Sequence, residues 1–282
     1  MNAFIILNYN DCDNCIRLAT AVSDFTCIDK VIVVDNCSTD DSVFKLRQIE
    51  CDKIKLVITE KNGGYSYGNN RGAEYAINEL HADKLVFSNT DIIIEEDALS
   101  ASLNVVGKDD IAYCTPIMHY TYKKERERQT VWYSSKWLPA MLKKTLLGTI
   151  INKMRRGKSF LPGINDVNHV CNALFVIDVQ AFTDVGMFDE NVFLYYEEDI
   201  LFYKLRKKGY RVVADGDHEY LHDHGASTKK TYNRYSIYKI AAVSGRYYWF
   251  NIVKIGKISR FFYKILAKII QFERFVIFGI FK

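Results

Sequence analysis

The sequence predicts an α/β fold, and two observations in its first 92 residues support the prediction. Apolar runs rich in β-branched residues recur at residues 3–7, 31–34, 54–58 and 85–87. Segments with helical spacing separate these runs, which gives the order β-α-β-α-β-α-β. Unbroken apolar strands that alternate with helices are typical of a mostly parallel sheet flanked by helices, as in nucleotide-binding proteins. With 282 residues, 49% of them hydrophobic, the chain can bury a full core.

Polar residues follow the first two strands. Ligands collect at the carboxyl ends of parallel strands, so side chains at these ends are candidates for ligand contacts. The candidates are Asn8, Tyr9, Asn10 and Asp35. Helical spacing resumes after each strand, over residues 12–25 and 42–49.

A glycine-rich segment follows the third strand, and a helix is predicted after it over residues 73–80. The segment is not a P-loop, because no Gly-Lys-Ser/Thr follows, and its glycines lack the dinucleotide-fold spacing. Its glycines would still let the backbone approach a ligand, and its arginine could bind a phosphate. A flexible surface loop is the alternative. The candidate binding residues are Asn62, Gly63, Gly64, Asn70 and Arg71.

The fourth strand ends in small polar residues and a single carboxylate. Asn89, Thr90 and Asp91 follow Ser88 directly. A carboxylate that projects from a strand end can bind a divalent cation together with a diphosphate. The alternative is that Asp91 caps a helical segment over residues 92–106.

Residues 119–165 form a basic, irregular insertion between predicted strands at 111–117 and 170–177. A run of charged residues is most often a solvated surface, but this segment is also a candidate lid over an acceptor.

Three adjacent carboxylates follow an aromatic run at residues 193–196: Glu197, Glu198 and Asp199. Successive helical side chains point about 100° apart, so at least one of the three should point inward. A carboxylate at a helix N-terminus beside aromatic rings suits a general base. Favourable interaction with the helix dipole is the alternative.

Two histidines, His222 and His224, flank Asp223 after predicted short strands at residues 211–214 and 218–221. This arrangement suits contact with a metal or phosphate, and a structural role is the alternative.

The charge is distributed unevenly. Residues 1–120 contain 10 basic and 19 acidic residues, whereas residues 121–282 contain 28 and 15. In the tail, residues 246–282, basic residues recur on one helical face and apolar residues largely on the other. Lys257, Arg260, Lys264 and Lys268 form the basic row, and Ile258, Phe262, Ile265 and Ile269 the apolar one. The pattern is typical of an amphipathic helix at an anionic membrane surface; packing on the domain or in a homodimer is the alternative.

Taken together, the motifs resemble those of the inverting family 2 glycosyltransferases of GT-A fold, in the rhamnosyltransferase-like branch of bacterial polysaccharide assembly. The resemblance covers roughly residues 2–230, and seven motifs occur in the family's order. They are Asn8-Tyr9-Asn10, residues 33–40, Asn62-Gly63-Gly64 with Asn70-Arg71-Gly72, residues 88–91, residues 186–190, residues 196–201 with Gly209-Tyr210, and His222-x-x-Gly225-x-Ser227.

The resemblance implies a UDP- or dTDP-sugar donor, with Asp35 near its base or ribose and residues 62–71 around its nucleoside. Asn89-Thr90-Asp91 stands at the family's Asp-x-Asp, so Asp91 would hold Mg²⁺ or Mn²⁺. His222 matches the family's histidine that contacts the metal or the diphosphate. Glu197 and Glu198 match the first pair of the Glu-Asp-x-Asp-Leu motif, and either Glu198 or Asp199 would be the base. The implied activity is the inverting transfer of a hexosyl or rhamnosyl group to a lipid-linked glycan. The implied process is the synthesis of capsule, O-antigen or another cell-surface polysaccharide.

These considerations divide the chain into a GT-A domain at residues 1–228 and a basic, aromatic helical region at residues 229–282. Seven scattered cysteines and the lack of a signal sequence predict a cytoplasmic protein, peripheral on the inner face of the membrane. Two other functional classes are the alternatives. A nucleotidyltransferase should carry a glycine-rich Arg/Lys signature after the first strand, which residues 8–11 lack. A nucleic-acid-binding module is supported only by the basic tail, and the acidic N-terminal half opposes it.

Overall fold

The computed structural model describes residues 1–120, 136–148, 161–168, 170, 173–223 and 233–280. The predicted domain boundary at 228/229, His224 and most of the predicted lid lie outside these residues. The division into domains therefore stays a prediction.

The described residues form one mixed sheet with helices on both faces. Its strands are β1 (Asn2–Asn8), β2 (Lys30–Asp35), β3 (Ile54–Ile58), β4 (Lys84–Ser88), β5 (Ile92–Ile93), β6 (Ile111–Tyr120), β7 (Ile164–Asp166), β8 (Leu174–Asp178) and β9 (Arg211–His222). Its helices are α1 (Cys12–Ser23), α2 (Ser42–Leu46), α3 (Tyr65–Asn78), α4 (Glu96–Val105), α5 (Trp137–Leu142), α6 (Val179–Asp184), α7 (Glu197–Lys207), α8 (Arg234–Tyr247) and α9 (Lys257–Ile280). The predicted α/β class is confirmed.

The strand order is β3-β2-β1-β4-β8-β6-β9-β5, with β7 paired to β9. Strands β1 to β4 are mutually parallel, whereas β8 runs antiparallel to both β4 and β6. The sheet is thus more mixed than the mostly parallel one that the apolar runs predict. Continuous apolar runs show that both faces of a strand are buried, but they do not fix its direction.

Alternate side chains of the central strands enter two separate cores. In β1, Phe4 and Ile6 pack with α1, α2 and α4, while Ala3 and Ile5 pack with α3, α6 and α7. The strand period of two places successive side chains on opposite faces, and all four are fully buried. This burial explains why the predicted strand carries no polar residue before its end.

Several elements differ from the sequence prediction, four of them as follows. Helix α3 begins at Tyr65, eight residues before the predicted start, so most of the glycine-rich segment is helical. A short strand and then α4 replace the single helical segment predicted over 92–106. Residues 211–222 form one strand with a register shift, where two short strands were expected. Strand β8 begins at Leu174, later than the predicted residue 170.

The C-terminal helices form a third layer beside α7. The side chains of Met141, Tyr248, Tyr263 and Ile270 pack together with Ile200 of α7 in a separate apolar cluster. Asn233 begins α8 by accepting a hydrogen bond from the backbone N of Ser236 at 2.9 Å, a typical N-cap. Among the described helices, none combines the length and apolarity needed to cross a bilayer.

Candidate active site

The loops that follow β1 and β2 are joined by polar side chains. Asn8 donates a hydrogen bond to Asp35 Oδ1 at 2.9 Å, and Ser38 Oγ donates to the same oxygen at 2.6 Å. Asp35 is completely buried, so its carboxylate shapes the loop. The predicted contact of Asp35 with the donor's base or ribose stays a prediction.

Asn10 continues this network at the surface. Its backbone has a positive φ of 54°, which asparagine tolerates better than most residues. Its side-chain oxygen accepts a hydrogen bond from the backbone N of Thr39 at 2.8 Å. Tyr9, half-buried, lies between Asn8 and Asn10. The three residues thus lie at one strand end, as predicted.

The glycine pair allows a close approach between two backbones. Gly64 has φ 89° and ψ −173°, a conformation that is essentially restricted to glycine. A Cβ on Gly64 would lie 2.0 Å from the carbonyl oxygen of Phe193, and the backbone N of Tyr65 donates to that oxygen at 2.9 Å. Asn62 accepts a hydrogen bond from Asn36 at 3.1 Å. The glycine segment therefore joins the loop after β2 to the loop before α7.

Asn70 and Arg71 lie on α3 and contact the turn at residues 186–190. Asn70 donates to the carbonyl oxygen of Phe188 at 3.0 Å and accepts from its backbone N at 3.1 Å. Arg71 forms ion pairs with Glu190 at 2.7 Å and Glu74 at 2.8 Å. These contacts give both side chains a structural role, and donor binding by either stays a prediction.

The strand end at Asn89 and Thr90 is anchored by neighbouring elements. Thr90 Oγ1 donates to Asp11 Oδ2 at 2.6 Å, and the backbone N of Asn89 donates to Ala173 O at 2.9 Å. Asp11 was not identified from the sequence, because nothing there distinguishes it from any acidic residue before a helix. It holds the loop that carries Asp91 against the end of β1.

Asp91 and His222 are brought together by strand pairing. Ile92 of β5 lies opposite His222 of β9, and His222 Nε2 is 3.1 Å from Asp91 Oδ1. Both side chains are nearly buried, with residue exposures of 7% for Asp91 and 6% for His222. Helix α4 begins at Glu96, so Asp91 does not cap it. The structure thus joins two residues that are 131 positions apart and were predicted to bind the same cation.

The donor atoms of this pair suit a divalent cation bound together with a nucleotide. Asp91 offers a carboxylate oxygen and His222 an imidazole nitrogen. Within the part of the chain that the structure describes, no three His, Cys, Asp or Glu side chains are grouped to hold a metal ion. Small divalent cations often take one or two protein ligands and complete their shell with substrate phosphates and water. The Asp91–His222 pair therefore suits a divalent cation that binds together with the phosphates of a nucleotide.

Helix α7 starts from strained backbone. Tyr195 and Tyr196 have φ of 68° and 70°, a left-handed conformation that is uncommon outside glycine. Such strain clusters at functional sites, where the surrounding structure maintains it. Ser244 Oγ donates to Leu194 O at 2.9 Å, so α8 helps to hold this turn.

Glu197 is enclosed at the start of α7. Burial, reinforced by the neighbouring Glu198 carboxylate, raises the pKa of Glu197 well above its usual value. The protonated form is therefore favoured, so Glu197 is poorly suited to act as a base, the role predicted for Glu198 or Asp199.

Asp199 faces the C-terminal layer. Burial raises the pKa of Asp199 to about 7, although the Lys144 and Arg206 cations lower it. Lys144 also donates to the hydroxyl of Tyr196, the residue before α7. Lys144 was not singled out from the sequence, where it is one of many basic residues in the irregular insertion.

Glu198 lies between these two neighbours on the helix and is half-buried. Because Phe193 contacts Gly64 beside the end of β2, the start of α7 lies at the same sheet edge as the ends of β1, β2 and β4. Asp91 lies at that edge too. The structure therefore does not place the predicted cation ligand and the predicted base on opposite sides of the molecule.

The family model described as Glycosyl transferase family 2 matches residues 3–175, more than half of the chain. The chain belongs to glycosyl transferase family 2. The predicted family is confirmed, and the chain is a glycosyltransferase. Membership of family 2 favours sugar transfer over the nucleotidyl transfer that a similar sheet could also support.

One curated relative of this family 2 glycosyltransferase is Low-salt glycan biosynthesis hexosyltransferase Agl10 of Haloferax volcanii. It is 22% identical over 241 residues, which are 84% of this chain and 71% of that protein.

Solved structures confirm the predicted GT-A fold. The mannosyltransferase PcManGT of Pyrobaculum calidifontis, in complex with GDP-Man and Mn²⁺, has a TM-score of 0.58 at 14% identity over 95% of this chain and 68% of that one. GalNAc-T7 with UDP, GalNAc and Mn²⁺ has a TM-score of 0.59 at 12% identity over 79% of this chain. This chain spans 43% of the length of GalNAc-T7. Residues 1–349 of S. aureus TarS have a TM-score of 0.50 at 17% identity, over 98% of this chain and 72% of that fragment.

Proposed function

We propose that this family 2 glycosyltransferase moves a sugar from a nucleoside diphosphate donor to a glycan acceptor, with inversion at the anomeric carbon. The observation that supports this most strongly is the position of the Asp91–His222 pair and the start of α7 at one edge of the sheet. The Asp91–His222 pair suits a cation with its diphosphate, and the start of α7 carries carboxylates that suit the acceptor hydroxyl.

The donor would lie across the ends of β1, β2 and β4. PcManGT and GalNAc-T7 were solved with a nucleotide or nucleotide-sugar and Mn²⁺, which supports a nucleoside diphosphate and a divalent cation here. UDP- and dTDP-sugars are the first candidates, with Mg²⁺ or Mn²⁺ held by Asp91 and His222. When bound, the cation would balance the negative charge that develops on the leaving diphosphate.

Glu198 would act as the general base. The acceptor hydroxyl gives its proton to the Glu198 carboxylate while its oxygen bonds to the anomeric carbon. The bond from that carbon to the diphosphate breaks on the opposite face, and the diphosphate leaves with the electron pair. A well-placed base contributes roughly 10²- to 10⁴-fold to the rate. Asp199, which faces Lys144 and Arg206, would position α7.

The acceptor would be carried by a lipid at the inner face of the cell membrane. In α9, apolar side chains form an exposed stripe, with Ile258 at 77%, Phe261 at 60% and Phe272 at 69% exposure. Lys257, Lys264 and Lys268 are exposed along one border of this stripe. An apolar stripe bordered by basic residues suits an in-plane helix at an anionic surface.

Two details of the tail differ from the predicted pattern. Arg260 was placed in the basic row, but it donates to the backbone oxygens of Phe250 at 2.7 Å and Ile255 at 2.8 Å. The opposite face of α9 is buried through Tyr263 and Ile270. Packing on the domain and an exposed apolar stripe therefore coexist on one helix. A role in a homodimer stays a prediction.

The proposal is tested by incubating the protein with a panel of UDP- and dTDP-sugars and Mn²⁺ or Mg²⁺ and measuring release of the nucleoside diphosphate. We expect cation-dependent release from at least one donor, and its loss in Asp91→Ala. Asp217→Ala removes an exposed carboxylate from the β9 bulge and serves as the control. Release that is unchanged in Asp91→Ala would contradict the assignment of the cation site.

A further inference from the structure

An apolar cavity of about 400 Å³ lies between α5, α8 and α9, away from the Asp91–His222 pair. Its size falls in the range typical of small-molecule sites, roughly 300 to 1,000 Å³. Its apolar wall is formed by Met141, Ile237, Tyr238, Ala241, Ala242, Tyr263, Ala267 and Ile270.

Three cations also line the cavity: Lys144, Arg234 and Arg274. Arg274 donates to the backbone oxygen of Lys144 at 2.8 Å, whereas the ammonium of Lys144 donates to the hydroxyl of Tyr196. Arg234 is exposed in the first turn of α8. The nearby carboxylate of Glu273 accepts a hydrogen bond from the backbone N of Leu146 at 3.0 Å and does not line the cavity.

This combination suits a ligand with a hydrocarbon chain and an anionic head. An apolar wall removes a chain from water, and arginine and lysine side chains bind phosphate oxygens strongly. A neutral lipid would form no ion pair with Arg234 or Arg274, and a free phosphate would leave the apolar wall exposed. A lipid phosphate has both the hydrocarbon chain and the anionic head.

The cavity is connected to the proposed base through Lys144 and Tyr196. Lys144 donates to the Tyr196 hydroxyl, and Tyr196 directly precedes α7. A Cβ on Gly245 of α8 would lie 2.8 Å from the Tyr196 ring, so α8 packs tightly on the same residue. Lys144 therefore links the wall of the cavity to the turn that precedes α7.

We propose that this cavity binds the lipid phosphate of the acceptor, with the phosphate on Arg234 and Arg274 and the first part of the chain against α8 and α9. The assignment to the acceptor rests on the proposed function. The apolar stripe of α9 lies on the face opposite Tyr263 and Ile270, so the same helix would contact both the membrane and the cavity.

The test measures binding of decyl phosphate to the full chain by calorimetry, below its micelle concentration. We expect saturable binding that Ala242→Phe, which fills the cavity, and Arg234→Glu, which reverses one charge, each weaken by about tenfold or more. Lys239→Glu is the matched control, because Lys239 lies on the same helix but does not line the cavity. Uncharged decyl maltoside should bind at least tenfold more weakly than decyl phosphate.

Binding that Ala242→Phe and Arg234→Glu leave unchanged, or equal binding of decyl maltoside, would overturn the proposal. Tighter binding of a short-chain phosphatidylglycerol than of decyl phosphate would assign the cavity to ordinary membrane lipid and would also overturn it. Nucleotide binding with Mn²⁺ is measured on the same variants and shows that they are folded. If the proposed function is wrong, no nucleotide-sugar is cleaved, but decyl phosphate still binds. If the cavity assignment is wrong, donor cleavage persists and the binding pattern of decyl phosphate fails, so the two failures are distinguishable.

Discussion

At the residue scale, Glu197, Glu198 and Asp199 show how helical geometry gives three adjacent carboxylates different surroundings. Each residue is rotated by about 100° from the last, so one enters the core, one faces the C-terminal layer and one lies between them. Burial raises the pKa of both Glu197 and Asp199, but cations oppose the shift only for Asp199. Local surroundings, not the residue type, separate the three roles.

The Lys144–Asp199 pair predicts a pH-dependent contribution to stability. Because the folded pKa of Asp199, about 7, is above its unfolded value, ionisation destabilises the fold increasingly as pH rises from about 4 to 7. Lys144→Met removes a cation that opposes this, so the folded pKa rises further. The extra loss of stability should appear at pH 8.5 and fade towards pH 5.5, where Asp199 is neutral in both proteins. Urea unfolding at the two pH values measures it.

Lys143→Met is the matched control for this prediction, because Lys143 is exposed and adjacent in sequence. In a protein that already carries Asp199→Asn, Lys144→Met should lower the free energy of unfolding by the same amount at both pH values. A Lys144→Met loss that is equal at both pH values would show that Lys144 stabilises the fold without acting on Asp199.

The position of several candidate residues at one sheet edge could be predicted from the sequence, because each lies at a strand end or begins a helix. Asp91 and His222 are examples, since strand ends of an α/β sheet are where ligands collect; their binding roles stay predictions. Lys144 and Asp11 could not be predicted. Their importance depends on tertiary contacts with Tyr196 and Thr90, which leave no local pattern in the sequence.

At the element scale, the glycine-rich segment was the main error of the sequence analysis. Residues 62–72 were expected to precede the helix, and glycines do lower helix propensity. The structure shows that Gly64 ends the loop and α3 begins at Tyr65. A Cβ on Gly68 or Gly72 would lie within 3 Å of a β1 side chain, so these glycines serve close packing of α3 on the sheet. Tertiary packing overrides the propensity.

Gly64→Ala is expected to cost more stability than Gly186→Ala. Both glycines have positive φ, 89° and 77°, where any L side chain is strained by about 1 to 2 kcal/mol. Only at Gly64 would the Cβ also meet a backbone atom, the carbonyl oxygen of Phe193. The free energies of unfolding of the two variants, measured in urea, separate backbone strain from the steric clash with Phe193. Equal losses would mean that the approach to Phe193 adds nothing.

At the scale of the whole molecule, the sheet edge and the C-terminal layer meet at α7. The first half of the fold supplies the strand ends. Lys144, just after α5, contacts Tyr196 and acts on Asp199, while Ser244 and Gly245 of α8 contact Leu194 and Tyr196. The sequence predicted an amphipathic tail but not this contact, because periodicity shows which face of a helix is apolar and not what it packs against.

The exposed stripe of α9 predicts binding to anionic membranes. Phe261→Glu with Phe272→Glu places charges in the stripe and should greatly reduce sedimentation with liposomes that contain anionic lipid. Phe44→Glu is the control, since Phe44 is 70% exposed on α2, far from α9 in sequence. Binding should also weaken at high salt. Co-sedimentation that the double substitution leaves unchanged would exclude the stripe as the membrane contact.

The most direct test of the shared site compares Mn²⁺-dependent nucleotide binding and sugar transfer in Asp91→Asn, Glu198→Gln and Asp199→Asn. Asp91→Asn should lose both binding and transfer. Glu198→Gln should bind the nucleotide normally and lose transfer by roughly 10²- to 10⁴-fold, whereas Asp199→Asn should show a milder loss. Nucleotide binding that Asp91→Asn leaves intact, or wild-type transfer by Glu198→Gln, would contradict a single site formed by the strand ends and α7.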